Sequence, residues 1–318
     1  MWIYLVPAVI LYFVIRFYRE RQTVENLGEK YVFITGCDSG FGNQVAKQLD
    51  IQGLRVLAAC LTQEGAEELE RLTSDRLKTT ILDVTSTESV KAASEWVKGI
   101  VGNKGLWGLV NNAGILRTTC PNEWLTKEDF EKVLNVNLLG LIDVTLQMLP
   151  LLRKAKGRVV NVASILGRLS FYGGGYCPSK YGVEAFSDSL RRELSPFGVK
   201  VSVIEPGYFK TPMTNVQDTL NYLENHWISV TQEIKDSYGQ TYFTNLYKLL
   251  REDLTSRCNT NLFLVTDCME HALTSKHPRT RYSAGWDAQF FFIPLSYLPT
   301  ALMDLILTWS SPKPAHAI

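Results

Sequence analysis

Tyr31-Val-Phe-Ile-Thr35, then Gly36-Cys-Asp-Ser-Gly-Phe-Gly42, then Asn43 to Gln52 is the stretch on which the reading of the fold turns. The first five residues are mostly β-branched or aromatic and read as a buried strand. Gly36, Gly40 and Gly42 read as a sharp turn, with Ser39 and Phe41 inside it. Val45, Ala46 and Leu49 then recur at helical spacing, so residues 43–52 read as a helix. A helix that opens directly on a glycine turn presents bare backbone N–H groups, which favour an anionic pyrophosphate. Glycine triplets are common in sequences. The strand–turn–helix setting gives this one its meaning.

The same alternation continues outward. Arg55–Ala59, Thr79–Asp83, Gly108–Val110, Arg158–Val162 and Lys200–Ile204 read as further strands, with helical segments between them. Strands that are apolar throughout and separated by helices predict an α/β fold. In it a doubly wound parallel sheet (Rossmann-type) carries helices on both faces and gathers ligands at its carboxyl edge. No linker or repeat interrupts residues 30–285, which read as one domain. Its cofactor half is 30–160, and its catalytic and substrate part is 161–285. Beyond Pro206 the chain becomes aromatic (Tyr222, Trp227, Tyr238, Tyr242, Phe243, Tyr247), with no further glycine-turn strand expected. Those rings read either as walls of an apolar substrate cleft or as core. Residues 286–318 form an apolar carboxyl-terminal segment broken by Pro294, Pro299 and Asp304, which reads as membrane-associated or as a cover over the cleft.

Met1 to Ile15 carries no charged side chain, and the apolar stretch ends at Tyr18. A spanning helix needs roughly 17–25 residues, so 1–18 reads as a membrane anchor with Arg16 reaching the interface. A cleaved signal peptide fits less well, because no positive charge precedes the apolar run. Arg16, Arg19 and Arg21 directly after it place the domain on the cytosolic side. The net charge of +1 leaves no basic stripe for nucleic acid. The 6 cysteines include no C-x-x-C pair and only 4 histidines accompany them, so reduced thiols and no metal centre are expected. A homodimer is left open.

Tyr176-Cys-Pro-Ser-Lys180 carries the chemistry. A tyrosine has an ordinary pKa of about 10, too high for a base near neutrality. A lysine four residues on along a helix lies on the same face, where its charge stabilises the phenolate. Val183, Phe186, Leu190 and Leu194 continue that helical period, and Pro178 falls where a missing N–H is tolerated. Ser164 follows the fifth strand at the edge where ligands gather, twelve residues before Tyr176. The glycine turn and the end of the second strand (Cys60, Leu61, Thr62) offer no cation for an extra phosphate. Asp38 would repel one, so NAD is expected over NADP.

The T-G-x-x-x-G-x-G spacing, Asn111-Asn-Ala-Gly114, Asp83, Asn137, Ser164 and Tyr176/Lys180 appear in an order that resembles the short-chain dehydrogenase/reductase family, over Lys30 to Pro212. The resemblance implies that Tyr176 is the general base and that Ser164 hydrogen-bonds the substrate oxygen. It implies that Lys180 lowers the tyrosine pKa and binds the nicotinamide ribose, while Asn137 holds a water. Asp83 would contact the adenine ring and Asn112 its support. Pro206, Gly207 and Thr211 would meet the nicotinamide amide. Gly173–Cys177, Asp188–Arg192 and His277–Asp287 resemble the microsomal retinol dehydrogenase branch, which also oxidises 3α-hydroxysteroids. That implies an apolar alcohol substrate and an endoplasmic reticulum location. A non-catalytic lipid-binding protein on the same fold, and a cytosolic NADPH-dependent reductase, stay open as alternatives.

Overall fold

Seven parallel strands make one sheet in the order β3-β2-β1-β4-β5-β6-β7. They are β1 (Tyr31–Thr35), β2 (Arg55–Cys60), β3 (Lys78–Ile81), β4 (Gly108–Asn111), β5 (Arg158–Val162), β6 (Lys200–Pro206) and β7 (Arg281–Ala284). The computed structural model describes residues 2–117, 119–171 and 173–317, with the backbone alone for 2–6 and 8. The expected anchor therefore lies partly outside the described residues, which contain its helix α1 (Trp2–Glu20).

The other helices are α2 (Gly40–Ile51), α3 (Gln63–Arg71), α4 (Thr87–Val101), α5 (Lys127–Leu134), α6 (Leu141–Ala155) and α7 (Tyr176–Leu194). They continue with α8 (Val216–Ser229), α9 (Gln232–Tyr238), α10 (Gln240–Ser256), α11 (Phe263–Thr274), the single turn α12 (Ile293–Leu295) and α13 (Thr300–Thr308).

Strand side chains alternate between two cores. Val32, Ile34, Val56 and Ala58 pack with Val45 and Leu49 of α2 and Met269 and Leu273 of α11. Phe33, Leu57 and Ala59 pack on the opposite face with Val97 of α4, Met148 of α6 and Leu190 of α7. Each fully buried Leu, Ile or Phe contributes on the order of 1.5–3 kcal/mol, so both faces are needed to hold the sheet. The winding of the sheet reverses between β1 and β4, which opens a crevice at their carboxyl ends.

The structure corrects the expected boundaries at three places. The first helix starts at Gly40 rather than Asn43, because Ser39 is already extended (φ −159°) and the turn feeds straight into helical hydrogen bonding. The third strand ends at Ile81, so Asp83 lies beyond it on the loop. A seventh strand exists where none was expected. Arg281–Ala284 is an edge strand paired only with β6, from Val203↔Arg281 to Pro206↔Ala284. Its outer edge faces no partner, so it lacks the continuous apolar run that marks a central strand.

The aromatic residues after Thr211 are mostly core. Trp227, Tyr238, Tyr242, Phe243 and Tyr247 cluster around Trp124, binding α8, α9 and α10 to the loop before α5. In the carboxyl-terminal segment Phe292 and Leu295 pack on Ile165, Leu166, Leu169 and Cys177. Phe290, Tyr297, Leu305 and Trp309 of that segment face outward. Among the described residues one helical run, Lys127–Ala155, has the length and apolarity to cross a membrane. It is α5 and α6 joined by a π-helical turn, and α6 packs on the sheet through Val144, Met148 and Leu152.

Glu20 ties the end of α1 to the domain. It accepts from Arg279 (Nε 2.8 Å) and pairs with Arg16 (2.8 Å), while His271 Nε2 meets its carbonyl at 2.9 Å. The Arg279 hydrogen bond holds the Glu20 carboxyl down at about 2, against the opposing effect of burial. A carboxylate depressed on folding stabilises above its ordinary pKa, and that stability is lost as pH falls through the folded value. Glu20→Gln is therefore expected to lower thermal stability at pH 7 by about 1–2 kcal/mol. The gap to the parent should close between pH 4.5 and 2, as followed by thermal unfolding in detergent.

Candidate active site

The crevice between β1 and β4 is closed at its base by side chain to backbone hydrogen bonds. Thr35 Oγ1 accepts the N–H groups of Asn112 and Ala113, each at 3.0 Å. Asn112 Nδ2 donates to the Thr35 and Gly36 carbonyls, each at 3.0 Å. This locks the glycine turn to the Asn111–Gly114 turn. Gly36 has φ +70°, and a Cβ there would fall 2.8 Å from the Ala113 Cα. A Cβ on Gly42 would lie 2.2 Å from the Gly36 carbonyl oxygen. Gly42 thus lets α2 close on the turn rather than facing the cleft.

Above this base lies a cleft of about 750 Å³, lined by Gly36, Ser39, Gly40 and Phe41 on one side and by Asp83 and Asn112 on another. Its far side brings in Ser164, Tyr176, Lys180, Pro206, Gly207 and Thr211. The expected binding and catalytic residues thus converge, with Gly42 and Asn137 standing just behind the surface. Phe41 packs edge-on against Phe209, centroids 5.6 Å apart, and fixes the turn against the loop after β6. Gly40 (φ +61°), where a Cβ would meet nothing nearer than Thr211 at 3.7 Å, keeps the amino terminus of α2 open to the cleft, which fits a dinucleotide pyrophosphate.

Asp38 stands at the end of β2. Its Oδ2 accepts from Leu61 N (2.8 Å), and its Oδ1 accepts from Thr62 N (2.9 Å) and Thr62 Oγ1 (2.8 Å). A carboxylate from the glycine turn is thereby fixed at the end of β2, where the chain itself supplies no acid. Asp83 Oδ1 accepts from Thr85 N (2.9 Å) and Thr85 Oγ1 (2.7 Å), which sets its loop.

The catalytic group forms around α7. Tyr176 opens the helix, and Lys180 follows one turn later with its Nζ 5.5 Å from the tyrosine ring centroid. Lys180 is only 4% exposed and donates to the Val162 carbonyl (2.9 Å). Burial holds its ammonium down to about 8, while Glu184 one turn on pulls it up. Ser164 follows β5 in extended backbone. Its Oγ accepts from Leu166 N (3.1 Å), and its hydroxyl hydrogen-bonds the Tyr176 phenol. Burial pushes Tyr176 up to about 12, the Ser164 contact pulls it down, and Cys177 pushes it up. Burial and Ser164 dominate, and the lysine directs a proton to a carbonyl.

Asn137 lies in the π-helical turn Asn135–Gly140, a distortion often found at functional sites. Its Oδ1 accepts from Ile115 N (2.8 Å), and its Nδ2 donates to Ile115 O (2.9 Å) and Ser179 Oγ (3.1 Å). Ser179 Oγ in turn donates to the Tyr176 carbonyl (2.6 Å). Asn137 thus joins the loop after β4 to the first turn of α7. Behind Lys180, burial and the Glu205 carboxylate push Glu184 up, while Arg281 (3.0 Å) opposes them.

Asp287, which the sequence reading gave no role of its own, holds the loop after β6 in place. Its Oδ2 accepts from Tyr208 N (2.8 Å), and Gly207 N donates to the Ala284 carbonyl (2.9 Å). A Cβ on Gly207 would meet Asp287 Oδ2 at 2.2 Å, and one on Gly285 (φ +96°) would meet Oδ1 at 2.5 Å. The expected nicotinamide loop is therefore shaped by a carboxylate from just beyond β7. Gly285, two residues before Asp287, is the one local signal, and nothing in the spacing ties it to Gly207. Among the described residues no cluster of His, Cys, Asp or Glu could hold a metal, and no cysteine pair is disulfide-bonded.

The fold and this constellation define a nicotinamide-dependent oxidoreductase that acts on alcohols. The chain belongs to the short chain dehydrogenase family, whose model matches residues 30–220. It is 64% identical to human (Homo sapiens) 17-beta-hydroxysteroid dehydrogenase type 6, over 100% of both chains. It is 63% identical to retinol dehydrogenase 7 of Rattus norvegicus, again over 100% of both. A short-chain dehydrogenase from Streptomyces avermitilis shares the fold, with a TM-score of 0.68 and 24% identity over 88% of this chain and 96% of that one.

Asp287→Ala should free the loop after β6 and weaken cofactor binding about 10-fold, as for one lost charge-assisted hydrogen bond. Fluorescence titration with reduced cofactor reads this directly. KM for the cofactor should rise more than kcat falls, and Asp287→Asn, which keeps one acceptor oxygen, should recover part of the loss.

Proposed function

We propose that this chain oxidises the hydroxyl of a bulky apolar alcohol, retinol or a 3α-hydroxysteroid, with NAD as hydride acceptor. The observation that carries the reading is the convergence of Ser164, Tyr176 and Lys180 on one wall of a cleft roomy enough for cofactor and substrate together. The names of two relatives matched over their whole length, a retinol dehydrogenase and a 17-beta-hydroxysteroid dehydrogenase, support a retinoid and a hydroxysteroid as the substrate classes.

The residues divide the work as follows. Gly36, Ser39, Gly40, Phe41 and the α2 amino terminus hold the pyrophosphate, Asp83 and Asn112 the adenine side, and Pro206, Gly207 and Thr211 the nicotinamide side. The bound nicotinamide supplies the acceptor for the hydride of the carbinol carbon. Tyr176 accepts the hydroxyl proton, and Ser164 donates to the same oxygen and steadies its developing charge. Lys180 orients the ribose and adds positive charge beside the phenol. Asn137 positions the first turn of α7 and holds a water toward Lys180. NAD is favoured because Asp38 sets a negative charge at the end of β2, where Leu61 and Thr62 offer no cation to a phosphate. Asp38→Ser is expected to lower the NAD over NADP preference in kcat/KM at least ~10-fold, as removal of a like charge from a phosphate site should.

The amino-terminal helix anchors the chain in the endoplasmic reticulum membrane, with Arg16, Arg19 and Arg21 on the cytosolic side. Residues 286–318 pack through Phe292 and Leu295 on the turn at Ile165 and the start of α7, and leave Phe290, Tyr297 and Trp309 outward for the membrane.

NADH formation by the membrane-reconstituted protein, with retinol and a 3α-hydroxysteroid side by side, tests the reading. Oxidation should quicken as pH rises, because the phenolate form of Tyr176 is the base and its pKa lies above neutrality. Tyr176→Phe should cut kcat by a factor of about 10³ or more, since it removes the base and leaves binding intact. A well-folded chain inert toward both alcohols would overturn the proposal and favour a lipid-binding role.

A further inference from the structure

One wall of the cleft is polar where an apolar substrate would call for hydrocarbon. Helix α8 buries Leu220, Leu223 and Trp227 in the aromatic cluster beneath it. Its Asp218, Asn221, Tyr222 and Asn225, spaced to share the other face, line the cleft. From the loop after β4, Arg117 lies over the Tyr222 ring (5.4 Å) and donates to its hydroxyl. Thr119 lines the same cleft, is 92% buried (8% exposed), and its Oγ1 has no hydrogen-bond partner among the described residues. A buried hydroxyl with no partner is rare and marks a place where a partner belongs.

Resting on the dehydrogenase reading above, we infer that this wall is a subsite for a second, neutral oxygen on the substrate, remote from the hydroxyl that is oxidised. Thr119 and the α8 amides can donate to a ketone or exchange hydrogen bonds with a hydroxyl. An anionic group fits less well, because Asp218 shares the wall and Arg117 is already engaged with Tyr222. The substrate class is therefore an apolar alcohol oxygenated at both ends, which a steroid skeleton supplies and retinol does not. A substrate with a bare hydrocarbon end would leave these polar groups dehydrated and unpaired, and sites built that way discriminate strongly against it.

The test compares two 3α-hydroxysteroids that differ only in a ketone on the far ring, with retinol as a reference lacking any second oxygen. Both kcat/KM and equilibrium binding are measured. The parent chain should favour the ketone-bearing steroid about 10-fold in each. Thr119→Val, which keeps shape and removes the hydroxyl, should bring that ratio toward one. Asn221→Leu, on the exposed side of α8 and harmless to the core, should do the same. A parent ratio near one, or a ratio that neither variant moves, overturns the subsite. A chain inert toward every alcohol overturns the dehydrogenase reading instead, and the binding ratio still judges the subsite.

Discussion

The hydrogen bonds from the Asn112 side chain to the Thr35 and Gly36 carbonyls hold together the two turns on which the site is built. They fasten β1 to the segment after β4 across the point where the winding of the sheet reverses. The fastening is so tight that no Cβ fits at Gly36 or Gly42. Because α2 must begin within this knot, its free amino terminus is aimed at the cleft. Phe41 then carries the constraint to Phe209 and so to the loop after β6.

Burial dominates the acidities of Tyr176 and Lys180, and it moves them in opposite senses. It raises a phenol and lowers an ammonium, so Tyr176 and Lys180 are both held toward their neutral forms. Ser164 works against this at the phenol, and Glu184 works against it at the lysine. The phenol thus stays neutral near pH 7, while the ammonium, at about 8, keeps most of its charge there.

Much of this was legible in the residues themselves. β1 and β5 match their expected bounds because central strands are apolar on both faces and the signal is local. Tyr176, Lys180 and Ser164 were legible because helical spacing and strand ends are local as well. β7 was not, since an edge strand of four residues with alternating burial has no apolar run to announce it. The aromatic residues after Thr211 read equally as cleft walls or as core, and most of them face their own core. Composition does not reveal which face of α8 is turned inward. The role of Asp287 depends on contacts nearly 80 residues apart, |i−j| = 79 for Tyr208, which no spacing rule reaches.

β7 also has a consequence for modularity. The stretch that matches the family, residues 30–220, holds the glycine turn, the tyrosine–lysine pair and six of the seven strands. It does not hold the carboxylate that shapes the loop at Gly207. That comes from Asp287, and the strand before it reaches β6 only after the chain has passed through α8, α9, α10 and α11. Helices α8 to α11 are thus an insertion between two paired strands of the sheet rather than a module appended to it. A fragment cut at the family boundary would contain every familiar motif and an unfinished site. Divergence in the α8–α11 region can retune the substrate wall, provided the returning strand still reaches its place beside β6.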